Sequence, residues 1–314
     1  MCANGHKEFH QIRWDTSLHD EAVALLRLAI REDLGPLGDS TSKALIPKAA
    51  LGAAAVVARG AGVVAGIPVA EAAVQLIDPS VKWVHERGEG DAVKPGDRIA
   101  RIEGPARSIL AAERLLLNVL GRLSGVASLT QKYVEAVSGT RARIYDTRKT
   151  TPGWRRLEKY AVHLGGGYNH RTGLFDAILI KDNHLAFGGG GTPSVQFSPA
   201  EAVAQARQWI KRRVPQLVRS RMIVEIEVDT LAQLAEVLAA DPDIVLLDNM
   251  TPVQLGEAVN VRDAANPVVE LEASGGVTLD SVRAIAESGV DRISVGALTH
   301  SAKSLDLGLD WLGS

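Results

Sequence analysis

Between residues 143 and 295 the chain alternates, six times over, between short strand-like runs and amphipathic helical segments. The strand-like runs are 143–147, 177–181, 222–228, 243–248, 268–273 and 292–295. The helical patterns between them include 158–164, 199–213, 231–240, 252–265 and 279–288. A strand that returns to its sheet through a helix lies parallel to its neighbour. Six such strands fall short of the eight of a complete barrel, so an open α/β barrel is expected, with a doubly wound sheet as the second reading.

The first part of the chain has a different rhythm. Ser17, with Asp20 three residues on, predicts a helix start, and Ala22, Leu25, Leu26, Ala29 and Ile30 follow at helical spacing until Gly35-Pro36. Strands are expected over 53–58, 81–86 and 98–102, with a helix over 68–77 between the first two. A long helical region over 107–137 is expected to break at Gly121 and Gly125. This reads as an α+β domain, and 314 residues suit two domains.

Composition excludes several classes. With 35 Lys and Arg against 37 Asp and Glu, the net charge of -2 does not suit a nucleic-acid binder. Cys2, the one cysteine, excludes an internal disulfide and suits a reducing compartment. The longest apolar stretch, 51–76, carries Arg59, Glu71 and several glycines, so no membrane span is expected. The first eleven residues are polar and lack the apolar core of a signal peptide, which points to the cytoplasm. The glycine run 188–191 reads as a solvated linker rather than a phosphate cradle.

Polar residues collect where the strand runs end, which in α/β barrels is the active-site mouth. Asp146-Thr147-Arg148-Lys149 follows the first run and Lys181-Asp182-Asn183-His184 the second. Glu225 and Glu227 lie within the third, Asp248 ends the fourth, Ser274-Gly275-Gly276 follows the fifth, and Gly296 the sixth. Residues 141–184 hold nine Lys or Arg against four Asp or Glu, a balance that suits a substrate with several negative charges. The planar forks of Arg148 and Arg171 match carboxylate or phosphate. His170 precedes Arg171 in what reads as an exposed loop aimed at a ligand, and Lys181 is either paired with an acid or used. Glu227 and Asp248 suit sugar hydroxyls or a divalent cation, or pair with the cations. Ser274–Gly276 before a helix suits a phosphate, and Gly296 strengthens that reading. Arg155, Arg156 and Lys159 are expected to be mostly solvated surface.

The run Asp146-Thr147-Arg148-Lys149-Thr150-Thr151-Pro152-Gly153 is followed by Glu158-Lys159-Tyr160-Ala161-Val162, Gly165-Gly166-Gly167 and Asn169-His170-Arg171. Together these resemble the quinolinate phosphoribosyltransferase family. Glu32-Asp33-Leu34 with Gly38-Asp39, Glu113-Arg114 with Leu117-Asn118, Ser124-Gly125, residues 179–184, Leu247-Asp248-Asn249, residues 272–276 and residues 294–301 extend the likeness from about residue 20 to the C-terminus. Trp154 stands where the family usually has leucine, His163-Leu164 replaces a basic-then-small pair, and the loop 187–198 is longer than usual.

The resemblance implies an N-terminal α/β sandwich domain, 1–113, and an open α/β barrel, 114–300, with the tail 301–314 packing back on the first. It implies a homodimer in which Arg114 crosses to the partner's site. The implied reaction is a pentosyl transfer: phosphoribose moves from phosphoribosyl pyrophosphate to quinolinate, with magnesium and decarboxylation, in NAD biosynthesis. Arg114, Arg148, His170, Arg171 and Lys181 would bind quinolinate. Glu227, Asp248, Ser274, Gly275, Gly276, Gly296 and His300 would bind the donor. Lys149, Lys181, Glu227 and Asp248 would be catalytic, and Glu227 and Asp248 would hold magnesium through the substrate. The alternatives are a related phosphoribosyltransferase that does not decarboxylate and, more distantly, a Schiff-base barrel lyase using Lys181.

Overall fold

The structure is a computed structural model and describes residues 7–188 and 197–313. The chain forms two compact units. One comprises Ile12–Lys132, Thr150–Gly167 and the chain from Leu298 onward; the other comprises the segment ending at Gln11, Tyr133–Lys149 and Tyr168–Ala297. The expected boundary at 113/114 falls inside a helix, Ala106–Ala136.

In the first unit, strands β1 (Leu51–Ala58), β2 (Gly62–Val63), β3 (Lys82–His85), β4 (Ala92–Val93) and β5 (Arg98–Pro105) precede that helix. β3, β5 and β1 pair antiparallel, and β2 pairs with β4. Ala54, Val56, Ile99 and Ile102 of the larger sheet pack with Ile67, Ala70 and Val74 of the Ile67–Ile77 helix and with Ile109, Leu116 and Leu120 of the long helix. Burial of each large aliphatic here is worth roughly 1.5–3 kcal/mol. The first helix, Thr16–Leu34, begins earlier than expected, because Asp15 rather than Ser17 caps it by accepting from the Leu18 N–H.

Gly121 and Gly125 do not break the long helix. They clear one face of it for the C-terminal tail: a Cβ on Gly125 would lie 2.1 Å from the Lys303 carbonyl oxygen, and the Leu305 N–H donates to the Gly121 carbonyl at 2.9 Å. The tail then adds a last strand to β1, as described below.

The second unit is built on six parallel strands: β6 (Arg143–Tyr145), β7 (Ile178–Ile180), β8 (Val224–Val228), β9 (Ile244–Asp248), β10 (Glu270–Ser274) and β11 (Arg292–Ser294). The remaining strand, β12 (Leu307–Trp311), belongs to the first unit and pairs antiparallel with β1. The order of the parallel sheet is β6-β11-β10-β9-β8-β7. Consecutive strands are neighbours except β6 and β7, which stand at opposite edges, as in a barrel left open between its first two strands. The helices Pro199–Arg213, Leu231–Leu238, Pro252–Ala265 and Leu279–Glu287 are the crossovers. Of the glycine run, Gly188 ends a short helix, Asp182–Gly188, and residues 189–191 lie outside the described residues, as does most of the 187–198 loop.

Side chains alternate across each strand. In β8, Val224, Ile226 and Val228 are buried on one side, and Glu225 and Glu227 point to the other. Glu225 lies beside Glu272 of β10, with β9 between them, so both face the barrel interior.

Residues 7–11, which the sequence shows only as a polar segment, are part of this barrel. Phe9 is buried with Tyr145, Ala177, Ile223 and Ile244. Glu8 accepts from Arg143 and from the Tyr145 hydroxyl, both at 2.8 Å, and pairs with Arg292 at 3.3 Å. Arg292, fully buried, donates to Glu270 at 2.6 Å and stacks 4.6 Å from the Tyr145 ring centroid.

Candidate active site

The carboxyl end of β6 is stitched to the segment 168–171. The Tyr168 N–H donates to Ile144 at 2.8 Å, and the Asp146 N–H donates to Tyr168 at 3.0 Å. Buried Asp146 accepts the His170 N–H and the Asn169 side-chain amide, each at 2.8 Å. These bonds bring Arg148 and Arg171 into electrostatic range of each other. Burial, and next the neighbouring Arg148 charge, lower the Arg171 pKa from the ordinary guanidinium value, against the pull of Glu225 and Asp176. Two cations that raise each other's cost in a desolvated setting are relieved by an anion, above all a bidentate one.

Lys181, just after β7, forms an ion pair with Glu227 of β8; the lysine side chain is 41% exposed and the glutamate 13%. Asp248 ends β9. Asn249 follows at φ 53°. Its side-chain amide donates to Asp248 at 2.7 Å, and its backbone N–H donates to Ser274 at 2.9 Å. Gly275 completes this join: its φ is 96°, and a Cβ there would lie 2.1 Å from the Asn249 Oδ1. Gly276, at φ 60°, has nothing within 4 Å of its Cβ position. Thr278 caps the next helix by accepting from the Ser281 N–H. Gly296 follows β11, half-buried. Glu227 and Asp248 are partly buried carboxylates at adjacent strand ends, an oxygen donor set that fits magnesium.

Lys149 is exposed at the rim. Arg114 is exposed on the Ala106–Ala136 helix, and His300 is exposed at the end of the Ala297–His300 helix, its Nδ1 2.6 Å from the Ser301 hydroxyl. Lys159 departs from expectation. It is fully buried, on the Arg155–Leu164 helix, beside Glu158, which accepts from Thr151 at 3.1 Å and from Arg122 at 2.7 Å. Arg155 and Arg156 are half-buried, donating to the Thr150 and Ser17 hydroxyls.

Sequence reasoning assigned no role to Glu225, Glu272 or Asp146. His170, expected in an exposed loop, has its Nε2 3.0 Å from Glu225 and 3.6 Å from Glu272, and all three side chains are buried. The signal was present: charged residues at every second position of β8 and β10, in strands whose other residues are apolar or small.

Residues 39–124 match the family model for the quinolinate phosphoribosyl transferase N-terminal domain, and residues 126–310 match that for its C-terminal domain. The chain is 40% identical to the probable nicotinate-nucleotide pyrophosphorylase [carboxylating] of Bacillus subtilis, over 93% of this chain and 94% of that protein. It is 40% identical to the nicotinate-nucleotide pyrophosphorylase [carboxylating] of Mycobacterium leprae, over 93% and 97%. The solved nicotinate-nucleotide pyrophosphorylase of Francisella tularensis superposes with a TM-score of 0.85 at 35% identity, covering 97% of this chain and all of that one. In motif, fold and sequence alike, the chain belongs to the quinolinate phosphoribosyltransferase family.

Proposed function

We propose that this chain transfers phosphoribose from phosphoribosyl pyrophosphate to the ring nitrogen of quinolinate, releasing pyrophosphate and carbon dioxide and forming nicotinate mononucleotide. The observation that carries this reading is the crowding of Arg148 and Arg171 at the barrel mouth. Quinolinate presents two carboxylates on adjacent ring carbons, and burying that dianion requires several cations. Arg148, Arg171 and Lys181 supply them, with His170 beneath, Lys149 at the rim and Arg114 from a second copy of the chain.

The donor's 5′-phosphate sits on the Ser274–Gly276 turn and Gly296. Glu227 and Asp248 hold the ribose hydroxyls and the oxygen side of magnesium. Bound there, magnesium would neutralise the pyrophosphate. As the ring nitrogen attacks the anomeric carbon and pyrophosphate departs, positive charge develops on the ribose, and the two carboxylates stabilise it. Much of the remaining acceleration comes from holding the two reactants in line. The alkylated ring is cationic. It stabilises the electron pair left when the adjacent carboxylate departs as carbon dioxide, and a proton from water completes the product.

Lys181 argues against the Schiff-base reading. Its ammonium is paired with Glu227 and its side chain is 41% exposed, whereas an amine nucleophile of that kind needs a desolvated lysine or a cationic neighbour. No helix among the described residues is long and apolar enough to cross a membrane. A single cysteine suits a reducing cytoplasm, where we place the reaction.

The test is a chromatographic assay with phosphoribosyl pyrophosphate, magnesium and either quinolinate or nicotinate. Nicotinate mononucleotide formed from quinolinate alone is the expected result. Turnover of nicotinate would move the acceptor assignment, and no turnover of either would remove the reading.

A further inference from the structure

Beneath the mouth, His170 uses both ring nitrogens within the protein. Its Nδ1 lies 2.8 Å from the backbone nitrogen of Arg171, whose N–H donates to it. Only a lone pair accepts that bond, so the neutral ring carries its proton on Nε2. That proton faces Glu225, at 3.0 Å, with Glu272 behind at 3.6 Å. Phe9 covers the ring, centroid to centroid 4.3 Å. On the backbone side, Asp146 accepts the His170 N–H and the Asn169 amide. The residue so framed on every side is the one before Arg171.

We propose that Asp146, Glu225 and Glu272 are positioning residues for the acceptor site: through the His170 ring and backbone they fix the segment 169–171 and thereby aim the Arg171 guanidinium. The proposal rests on the reading of Arg171 as a clamp on the acceptor's carboxylates. It assigns His170 the part of a brace rather than a contact. It also accounts for two buried carboxylates that the phosphoribosyl transfer does not itself use. Glu225 is the carboxylate nearer the ring, and burial first and Glu225 next push the Glu272 carboxyl up to about 7.

The experiment compares Glu225→Ala, which removes the acceptor, Glu225→Gln, which keeps one, and Arg171→Ala. Misaiming a clamp by about 1 Å costs on the order of a hundredfold. Glu225→Ala is therefore expected to raise the KM for quinolinate about ten- to a hundredfold while the KM for phosphoribosyl pyrophosphate stays within about twofold. Glu225→Gln is expected to restore most of the difference. If Arg171→Ala leaves the quinolinate KM unchanged, the clamp reading fails and the proposal with it. If Arg171→Ala raises that KM and Glu225→Ala does not, or raises both KM values alike, the clamp stands and the positioning role is overturned.

Nitrogen-15 NMR of histidine-labelled wild-type protein decides the matter even if Glu225→Ala does not fold. The neutral Nε2–H form of His170 is expected, and an imidazolium or the Nδ1–H form would overturn the proposal. The three side chains are also close enough to hold a metal ion. Stoichiometric divalent metal in chelator-free protein, lost in Glu225→Gln, would make them ligands instead of braces.

Discussion

The two ends of the barrel are both rich in charge, yet they use it differently. At the amino end, Arg143 and Arg292 meet Glu8 and Glu270, and Lys7 meets Asp243 at 3.0 Å. The charges balance locally. Burial disfavours the Arg292 cation, but Tyr145, Glu8, Glu270 and Glu272 outweigh it and hold its pKa above the ordinary guanidinium value. At the carboxyl end, Arg171 is pressed the other way, by burial and then by Arg148. Charges balanced by their own fold need no ligand, whereas two crowded, desolvated cations suit an anionic one. Arg143 begins β6 at the paired end, and Arg148 follows the other end of the same strand.

The largest effect should come from the mouth. Arg148→Ala is expected to lower kcat/KM for quinolinate by a factor of about a thousand or more, because a desolvated charged contact to the acceptor is lost. The urea midpoint should hardly move, since removing one of two crowded cations relieves the other. Steady-state kinetics and urea unfolding on the same preparation check both halves. A variant that loses activity and stability together would break the distinction between the ends.

The amino end should behave in the opposite way. Arg292→Met leaves Glu8 and Glu270 to share Arg143 in a buried setting, and stripping one partner from such a network costs about 3–5 kcal/mol. Urea or thermal unfolding reads that loss directly. The residual activity of the folded fraction should remain close to that of the wild type, because Arg292 lies at the end of the strands away from the mouth.

Much of this was legible beforehand. The alternation of runs over 143–295 is a backbone-level pattern, so the strand number, parallel direction and missing closure could all be read from it. Strand ends such as Asp248 and the Ser274–Gly276 turn also declared themselves, because apolar runs stop abruptly at polar residues. What stayed hidden depended on partners distant in sequence. Residues 7–11 read only as a polar stretch until Glu8 meets Arg143 and Arg292, more than a hundred residues away. Gly121 and Gly125 look like helix breakers until the tail's Lys303 and Leu305 are laid across them. Lys159 sits on a helix with two arginines and looks solvated, but the helix turns it inward. Glu225 and Glu272 each looked like one charge in a strand, and only the barrel places them beside the same histidine.

Between the two ends lies that middle layer, and a pH series separates it from both. In the folded protein the Glu272 carboxyl is pushed up to about 7, first by burial and then by Glu225, with Arg292 and Ser294 pulling it back. In the unfolded chain a glutamate titrates near its ordinary value of 4.5. Between those two values the folded state holds a proton that the unfolded state has released, so stability falls as pH rises through that window. The loss is nearly complete above about pH 7 and amounts to roughly 3 kcal/mol. Glu272→Gln cannot ionise, so its stability relative to the wild type should climb from nothing near pH 4.5 to that amount by pH 8. Glu270→Gln, at the paired end, should lower the urea midpoint at every pH in this range, because it strips a charged partner from Arg143 and Arg292. Urea midpoints measured every half pH unit for the three proteins resolve this. A Glu272→Gln curve parallel to the wild type would place that carboxylate among the paired charges of the amino end and remove the layer as a separate electrostatic region.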